Sequence, residues 1–327
     1  MVEWQLNKKV SIAVFTYNQQ EFVHETLDSF LAQTYQNIEI IVCDDGSSDE
    51  TPNIIRRYAS QYPDRIIPVL HPVNTGIAEN VNRGIRAASG DYINLFGGDD
   101  IMLPDKIAVQ VAYLEQHPEL SGCYHDAEVF DWPSGEVRGL FSRIFGYTSF
   151  ELIDAEKYLD AKCRVLPSTV MMRRAAIKSL TFDNRLKLTN DFLFYIELII
   201  NSGALGFVNG ALVRYRKSAK SVCITESAQQ YGLEDYLMAL AILEARYPYF
   251  SNAIQKRTRH EIFRLAAAEI KFGNIRRFKD LCLLGMHRGS RIKGGLLWAF
   301  GSPIIAFLYR HKEKYAVTIK LLRRWVC

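Results

Sequence analysis

Through the first hundred positions, apolar residues come in short runs separated by polar turns. VSIAVF (residues 10–15) is a short β-rich run and IEIIVC (residues 38–43) reads as a buried strand. Between them, Phe22, Leu27, Phe30 and Leu31 recur at helical spacing within EFVHETLDSFLAQ (residues 21–33). The alternation continues. NIIRRYASQY predicts a second helix, with Ser48 or Asp49 as its cap and Pro52 in its first turn. RIIPVL predicts a third strand, GIAENVNRGIRAAS a third helix, GDYINLF a fourth strand and LPDKIAVQVAYLEQHP a fourth helix. Strands alternating with single helices predict an α/β fold with a mostly parallel, Rossmann-like sheet flanked by helices. In such sheets ligands bind where loops leave the carboxyl ends of the strands.

From residue 121 the pattern is mixed. SGCYHDAEVF and PSTVMMR read as strands, NDFLFYIELIINSG as a helix and LGFVNGALVRYR as a pair of short strands. Past residue 225 the pattern is helical: YGLEDYLMALAILEARY, AIQKRTRHEIFRLAAAEIKF and NIRRFKDLCLLGMHR. The expected division is a domain over residues 1–222 and a helical C-terminal extension over 223–327.

Composition narrows the field. With 48% hydrophobic and 23% charged residues the chain is an ordinary folded protein. A net charge of +4 over 327 residues gives little support to nucleic-acid binding, and none is expected. The charge is local, since residues 286–327 hold nine Lys or Arg against the single acid Glu313. The six cysteines are far apart and form no C-x-x-C pair, which argues against a zinc site or a redox dithiol and for a reducing, cytoplasmic setting. The N-terminal segment has no apolar signal core. The apolar stretch at residues 296–309 is 14 residues long and interrupted by Gly301 and Pro303, against about 20 needed to span a bilayer.

Three loops leave the carboxyl ends of predicted strands: TYNQQ, DDGSS and GGDD. Asp99 and Asp100 are adjacent anions after a strand. They suit Mg²⁺ or Mn²⁺ carried with a phosphorylated ligand, because hard cations take one or two carboxylates plus phosphate oxygens. The plainer reading of the pair is as dipole partners for the following helix. Asp44 and Asp45 form an Asx-type turn, and one of these carboxylates can also accept from a base N–H or a ribose hydroxyl. Tyr17 can give an aromatic face to a base or simply pack. No G-x-G-x-x-G follows the first strand and no G-x-x-x-x-G-K-[ST] occurs, which disfavours dinucleotide oxidoreductases and P-loop NTPases. His71, His117 and His125 lack metal-ligand spacing and read as surface or packing residues.

Taken together, VSIAVFTYNQQEFVHETLDSFLAQTYQNIEIIVCDDGSSDET and NTGIAENVNRGIRAASGDYINLFGGDD resemble the family 2 glycosyltransferases of GT-A fold, of the bacterial surface-polysaccharide type. The resemblance runs from about Val10 to Arg216 and extends to PSTVMMRRAAIKSLTFDNRLKLTNDFLFYIELI, similar to the family's acceptor-side segment. It implies a nucleotide-sugar-binding part over residues 8–120 and an acceptor side over 121–222. It implies that Tyr17 and Asp45, with the backbone around Phe15 and Thr16, hold the nucleotide base. Asp99 and Asp100 would then hold the ribose and the metal-bound diphosphate, with Asp100 the favoured metal ligand and Asp99 serving both. Asp191 would be the catalytic base.

The function so implied is metal-dependent, inverting transfer of a sugar from a nucleotide-sugar donor to a glycan or a polyprenyl-diphosphate-linked glycan. The alternative is a catalytically silent sugar-nucleotide or glycan-binding module. Three positions depart from the family pattern: Gly97 stands where an acid is common, Asn190 where the base is often preceded by Glu, and Ser218 where a histidine is frequent. Arg216, Lys217 and Lys220 are candidates for the diphosphate, or form a solvated basic loop. The tail mixes cations with Trp298, Phe300, Phe307, Tyr309 and Trp325, a composition suited to an anionic membrane surface at the inner face of the cell membrane. The competing reading is a helical subdomain.

Overall fold

The structure, a computed structural model, describes residues 8–160, 162–218 and 226–271. The chain divides into two compact units, Met1–Ser221 and Val222–Cys327.

The first unit is built on a ten-stranded sheet with helices, a mixed α/β architecture. Strands β1 (Val10–Thr16), β2 (Ile38–Asp44), β3 (Ile66–Leu70) and β4 (Tyr92–Gly97) are linked by helices α1 (Val23–Leu31), α2 (Thr51–Gln61) and α3 (Ile77–Ala87). A two-residue strand β5 (Ile101–Met102) follows, then α4 (Lys106–Gln116), β6 (Gly122–Asp131), β7 (Val137–Leu140), α5 (Phe141–Phe145), β8 (Leu152–Ile153), α6 (Ala155–Tyr158), β9 (Met171–Arg173), α7 (Asn190–Ser202) and β10 (Leu205–Lys217). The main order is β3-β2-β1-β4-β9-β6-β10-β5.

Strands β3, β2, β1 and β4 pair in parallel. Strand β9 runs against both β4 and β6, and β10 lies parallel to β6. Six strands therefore share one direction, and the short β9 is a reversed insert among them. Strands β1 and β2 are buried on both faces, as near-continuous apolar runs require. Pro68 is tolerated because β3 is a sheet edge, where a missing N–H leaves no broken ladder.

The predicted alternation over the first 116 residues is present. Its helix α1 buries Leu27 and Phe30 beneath a buried Phe22, with Leu31 partly buried. Three details differ. The cap of α2 is neither Ser48 nor Asp49: Glu50 occupies that position without a side-chain bond, while Asp49 accepts from the Thr51 N–H. PSTVMMR is a 3-10 turn (Pro167–Thr169) followed by β9. LGFVNGALVRYR is one strand, β10, because two register shifts against β6 let a single strand bend where two were expected.

In the second unit, α8 (Glu226–Arg246) and α9 (Ser251–Lys271) are joined through a 3-10 turn at Pro248–Phe250. Leu240, Leu243, Ile254 and Ile262 are buried there. Among the described residues, no helix is long and apolar enough to cross a membrane. The third predicted extension helix, the aromatic and basic tail, and Lys220 lie outside the described residues.

Candidate active site

Chain order fixes where a site can be. From β1 the sheet grows through β2 to β3 on one side, then continues with β4 on the other side of β1. The crevice beyond the carboxyl ends of β1 and β4 is therefore a topological switch point, where loops part and leave room for a ligand.

Hydrogen bonds stitch the three loops together there. Asp45 N donates to Thr16 O at 3.1 Å, and Gly98 N donates to Phe15 O at 3.0 Å. Thr16 Oγ1 donates to Asp44 Oδ1 at 3.0 Å. Asn18, held at φ 51°, donates from its N to Ser47 Oγ and accepts from Ser48 N. From α1, Thr26 Oγ1 donates to the carbonyls of Gly98 and Asp100. Phe15, Thr16, Asp45, Asp99 and Asp100 are thus brought into one bonded cluster. Tyr17 belongs to the same loop with its side chain 49% exposed, presenting a ring to solvent.

The two acidic turns have different tasks. Asp44 accepts from Ser47 N and Ser47 Oγ besides Thr16, so it is the internal brace of its turn. Asp45 is also buried, accepts from Thr75 N, Thr75 Oγ1 and Gly76 N, and faces Arg83 at 3.5 Å. It thereby fastens the loop before α3 to the end of β2. Thr75, Gly76 and Arg83 did not stand out in the sequence, because only the fold brings them across some thirty residues to this carboxylate.

At the β4 end, Gly98 packs so closely that a Cβ would lie 2.3 Å from Gln19 Oε1 and 2.5 Å from Thr16 Cγ2. At Gly97, where the family often has an acid, a Cβ would lie 2.9 Å from Asp99 Oδ1. The turn is shaped around two carboxylates. Asp100 is buried, with Oδ1 accepting from Arg216 N at 3.1 Å and Oδ2 from Ser168 Oγ at 2.7 Å. Burial raises its pKa and the neighbouring Asp99 charge raises it further, while Ser168 and Arg216 oppose. Asp99 is half-buried and is likewise raised, by burial first. Among the described residues neither carboxylate has a Lys or Arg side chain within ion-pair distance, since the Arg216 guanidinium goes to Glu25 and to the Asp99 carbonyl.

A cation fits such a pair. Two desolvated anions gain from a nearby positive charge what water no longer supplies, and the oxygen donors match Mg²⁺ or Mn²⁺. The described residues contain no group of three His, Cys, Asp or Glu placed to hold a metal by themselves. The remaining ligands for a cation would therefore be water and phosphate, as Mg²⁺ ordinarily takes.

Asp191 is in the first turn of α7, behind Thr189 at the N-cap position, and its Oδ1 accepts from Phe192 N at 2.8 Å. Asn190, although a good capping residue by type, is the first residue of the helix; its side chain donates back to Leu186 O. Burial, then the Asp191 charge, raises the pKa of the fully buried Tyr195 one turn on. The helix is seated by Phe194, which stacks on Phe182 at 4.5 Å; the Asn82 side chain of α3 donates to Phe182 O and accepts from Phe182 N.

The acceptor-side half holds a small cavity lined by His125, Asp126, Phe141, Tyr147, Arg164 and Thr169 among others. Thr169 is next to Ser168, so the cavity adjoins the residue bonded to Asp100. His125 is buried as a packing residue, and burial, then the Lys106 charge, lowers its pKa to about 3. Ser168 and Arg216 are the site residues that sequence reasoning missed or misplaced. Ser168 lay in a segment read as a plain strand. Arg216 is buried between two rings, which corrects the expectation of a solvated loop at that position.

The profile of Glycosyl transferase family 2 matches residues 11–180. An uncharacterized protein of Mycobacterium bovis is 43% identical over 122 residues, 37% of this chain and 35% of its own length. The chain thus spans about a third of that relative. An uncharacterized glycosyltransferase of Rickettsia prowazekii is 27% identical over 97% of this chain and 96% of its own. The Escherichia coli UDP-Glc:alpha-D-GlcNAc-diphosphoundecaprenol beta-1,3-glucosyltransferase WfaP is 27% identical over 71% of this chain and 87% of its own. Among solved structures, S. aureus TarS 1-349 in complex with UDP-GlcNAc superposes with a TM-score of 0.57 at 16% identity, covering 93% of this chain and 92% of that one. The Pyrobaculum calidifontis mannosyltransferase PcManGT, in complex with GDP-Man and Mn²⁺, does so with a TM-score of 0.55 at 17% identity over 95% and 87%. These likenesses establish the fold.

Proposed function

Since the chain belongs to glycosyl transferase family 2, we propose that it transfers a sugar from a nucleotide-sugar donor to a hydroxyl of a glycan or lipid-linked glycan, with a divalent cation and with inversion at the anomeric carbon. The observation that carries this reading is the Asp99–Asp100 pair: two adjacent, desolvated carboxylates at the switch point with, among the described residues, no Lys or Arg side chain paired to either. The PcManGT complex with GDP-Man and Mn²⁺ and the TarS complex with UDP-GlcNAc support the donor class. The WfaP acceptor, a diphosphoundecaprenol-linked sugar, supports a lipid-linked acceptor.

In this reading Tyr17 offers its exposed ring to the nucleotide base. Asp45 anchors the edge of the base site through the Thr75–Gly76 loop, with the backbone of Phe15 and Thr16 as its floor. Asp99 and Asp100 hold the cation, which supplies Lewis-acid neutralisation of charge developing on the leaving diphosphate. Ser168 and the Arg216 N–H fix the direction of the Asp100 carboxylate. Asp191 accepts the proton of the acceptor hydroxyl as that oxygen attacks, on the face opposite the leaving group, so that one displacement inverts the centre. The aromatic and basic tail is assigned to an anionic membrane surface.

The test is a panel of UDP-, GDP- and dTDP-sugars assayed for hydrolysis and transfer with Mn²⁺ or Mg²⁺, with Asp100→Ala alongside. The expected result is metal-dependent release of nucleoside diphosphate from at least one donor, abolished in the variant. Full activity in Asp100→Ala, or no turnover of any donor together with no nucleotide binding, would overturn the reading.

A further inference from the structure

We propose that Arg216 is a positioning residue for the Asp99–Asp100 turn, clamping it to α1 and the far half of the sheet so that both carboxylates are held ready for a divalent cation. The proposal rests on the reading of that turn as the cation site.

Arg216 is only 3% exposed, near the end of β10. Its guanidinium carbon is 5.0 Å from the centre of the Phe22 ring and 4.8 Å from that of Phe130. Phe22 directly precedes α1, and Phe130 belongs to β6. Nε donates to the Asp99 carbonyl at 2.7 Å, Nη2 pairs with Glu25 Oε2 of α1, and the backbone N donates to Asp100 Oδ1 at 3.1 Å. One residue thus binds four segments: α1, the turn after β4, β6 and its own strand.

A buried cation survives only with such a set of partners, and a planar guanidinium between two aromatic faces has little freedom to turn. Its placement is therefore rigid in a way that a lysine's would not be. The same commitments leave the guanidinium facing α1 and the Asp99 carbonyl rather than the carboxylate oxygens. Among the described residues no Lys or Arg side chain pairs with those oxygens. Arg216 thus acts on the pair by placing it. Glu25, 49% exposed on α1, is the outer end of the clamp.

The experiment uses the full chain and measures Mn²⁺ binding by calorimetry in the presence of saturating UDP, and in parallel GDP. Arg216→Met, Arg216→Lys and Glu25→Gln are compared with Asp100→Ala. Arg216→Met should weaken Mn²⁺ binding by about tenfold or more, the scale of losing hydrogen bonds made by a charged group. Arg216→Lys should fall between it and the parent, since one ammonium cannot span Glu25 and the Asp99 carbonyl. Glu25→Gln should cost about two- to threefold. In turnover with the accepted donor, the loss should appear as a higher KM for Mn²⁺ with kcat largely recovered at saturation.

A merely structural role would lower the melting temperature and leave Mn²⁺ affinity unchanged. That outcome in a folded Arg216→Met, with Asp100→Ala having lost Mn²⁺, overturns the clamp and leaves the metal site standing. If Arg216→Met does not fold, Glu25→Gln decides, and unchanged Mn²⁺ affinity there overturns the clamp. Undiminished Mn²⁺ binding by Asp100→Ala would remove the metal site itself, and the clamp with it.

Discussion

The strands up to β4 and the segment from β6 to β10 are built on opposite plans. In the first, β1 to β4 alternate with helices, and their loops are joined by bonds among residues of the same few motifs, Phe15 to Gln20, Asp44 to Thr51 and Gly97 to Asp100. In the second, strands are short or bent, β9 runs backwards, and Ser168 and Arg216, from outside those motifs, bond back to Asp100 and Glu25 of the first. On the proposed reading the first region is the nucleotide cradle and the second carries the base, Asp191. If so, donor binding and proton removal should be separable, and each of the following measurements strains that separation.

The largest effect is expected at Asp191. Asp191→Asn keeps the shape and removes the basicity, so transfer should fall by about 10²–10⁴-fold while donor affinity stays within about twofold of the parent. Isotope-labelled donor transfer with parallel calorimetry checks this. A matching loss of donor affinity would mean that the two regions are not separable, and near-normal transfer would assign the base elsewhere.

Next is an acid titration of the cradle's scaffold. Burial pushes the Glu39 carboxyl up, but bonds from Lys9, Ser11 and Ser89 outweigh it and take the pKa down to about 2. The folded value is below the unfolded one, so the stabilisation is complete above the unfolded pKa of about 4.3 and is lost as pH falls towards 2. The loss should be on the order of 3 kcal/mol. Glu39→Gln should be less stable than the parent at pH 7 and should flatten this part of the acid denaturation curve; an unchanged curve would contradict it.

The smallest effect sharpens the comparison at a seam between the two regions. Ser168 belongs to the second region by sequence but bonds to Asp100, so Ser168→Ala should behave as a lesion of the cradle. We expect about a tenfold rise in the Mn²⁺ concentration needed for half-maximal turnover, with the pH dependence governed by Asp191 unchanged. A loss confined to acceptor affinity would instead place Ser168 with the acceptor.

The same contrast explains what could be read from the chain beforehand. The alternation to residue 116, the three loops, and Tyr17, Asp45, Asp99 and Asp100 were legible because each is a local pattern: an apolar run, a polar turn at its carboxyl end, a pair of acids. The double register shift that keeps β10 whole was not, since a bulge is decided by the partner strand rather than by the bulged one. Arg216 looked like a surface cation because a sequence gives no sign that Phe22 and Phe130 will close over it. Ser168 was hidden in a run of strand-forming residues for the same reason.

The reversed strand β9 has a consequence for the order in which the molecule can assemble. Its three residues sit between β4 and β6, so the two halves of the sheet cannot join until residues 171–173 are available. A growing chain that has passed β4 has a complete β3-β2-β1-β4 layer whose last member offers an unpaired row of backbone groups, and such open edges invite pairing with other chains. Some seventy residues separate β4 from β9, a long stretch to close and a slow step for folding. Fragments ending between residues 116 and 170 should therefore self-associate, and extension through residue 173 should relieve it.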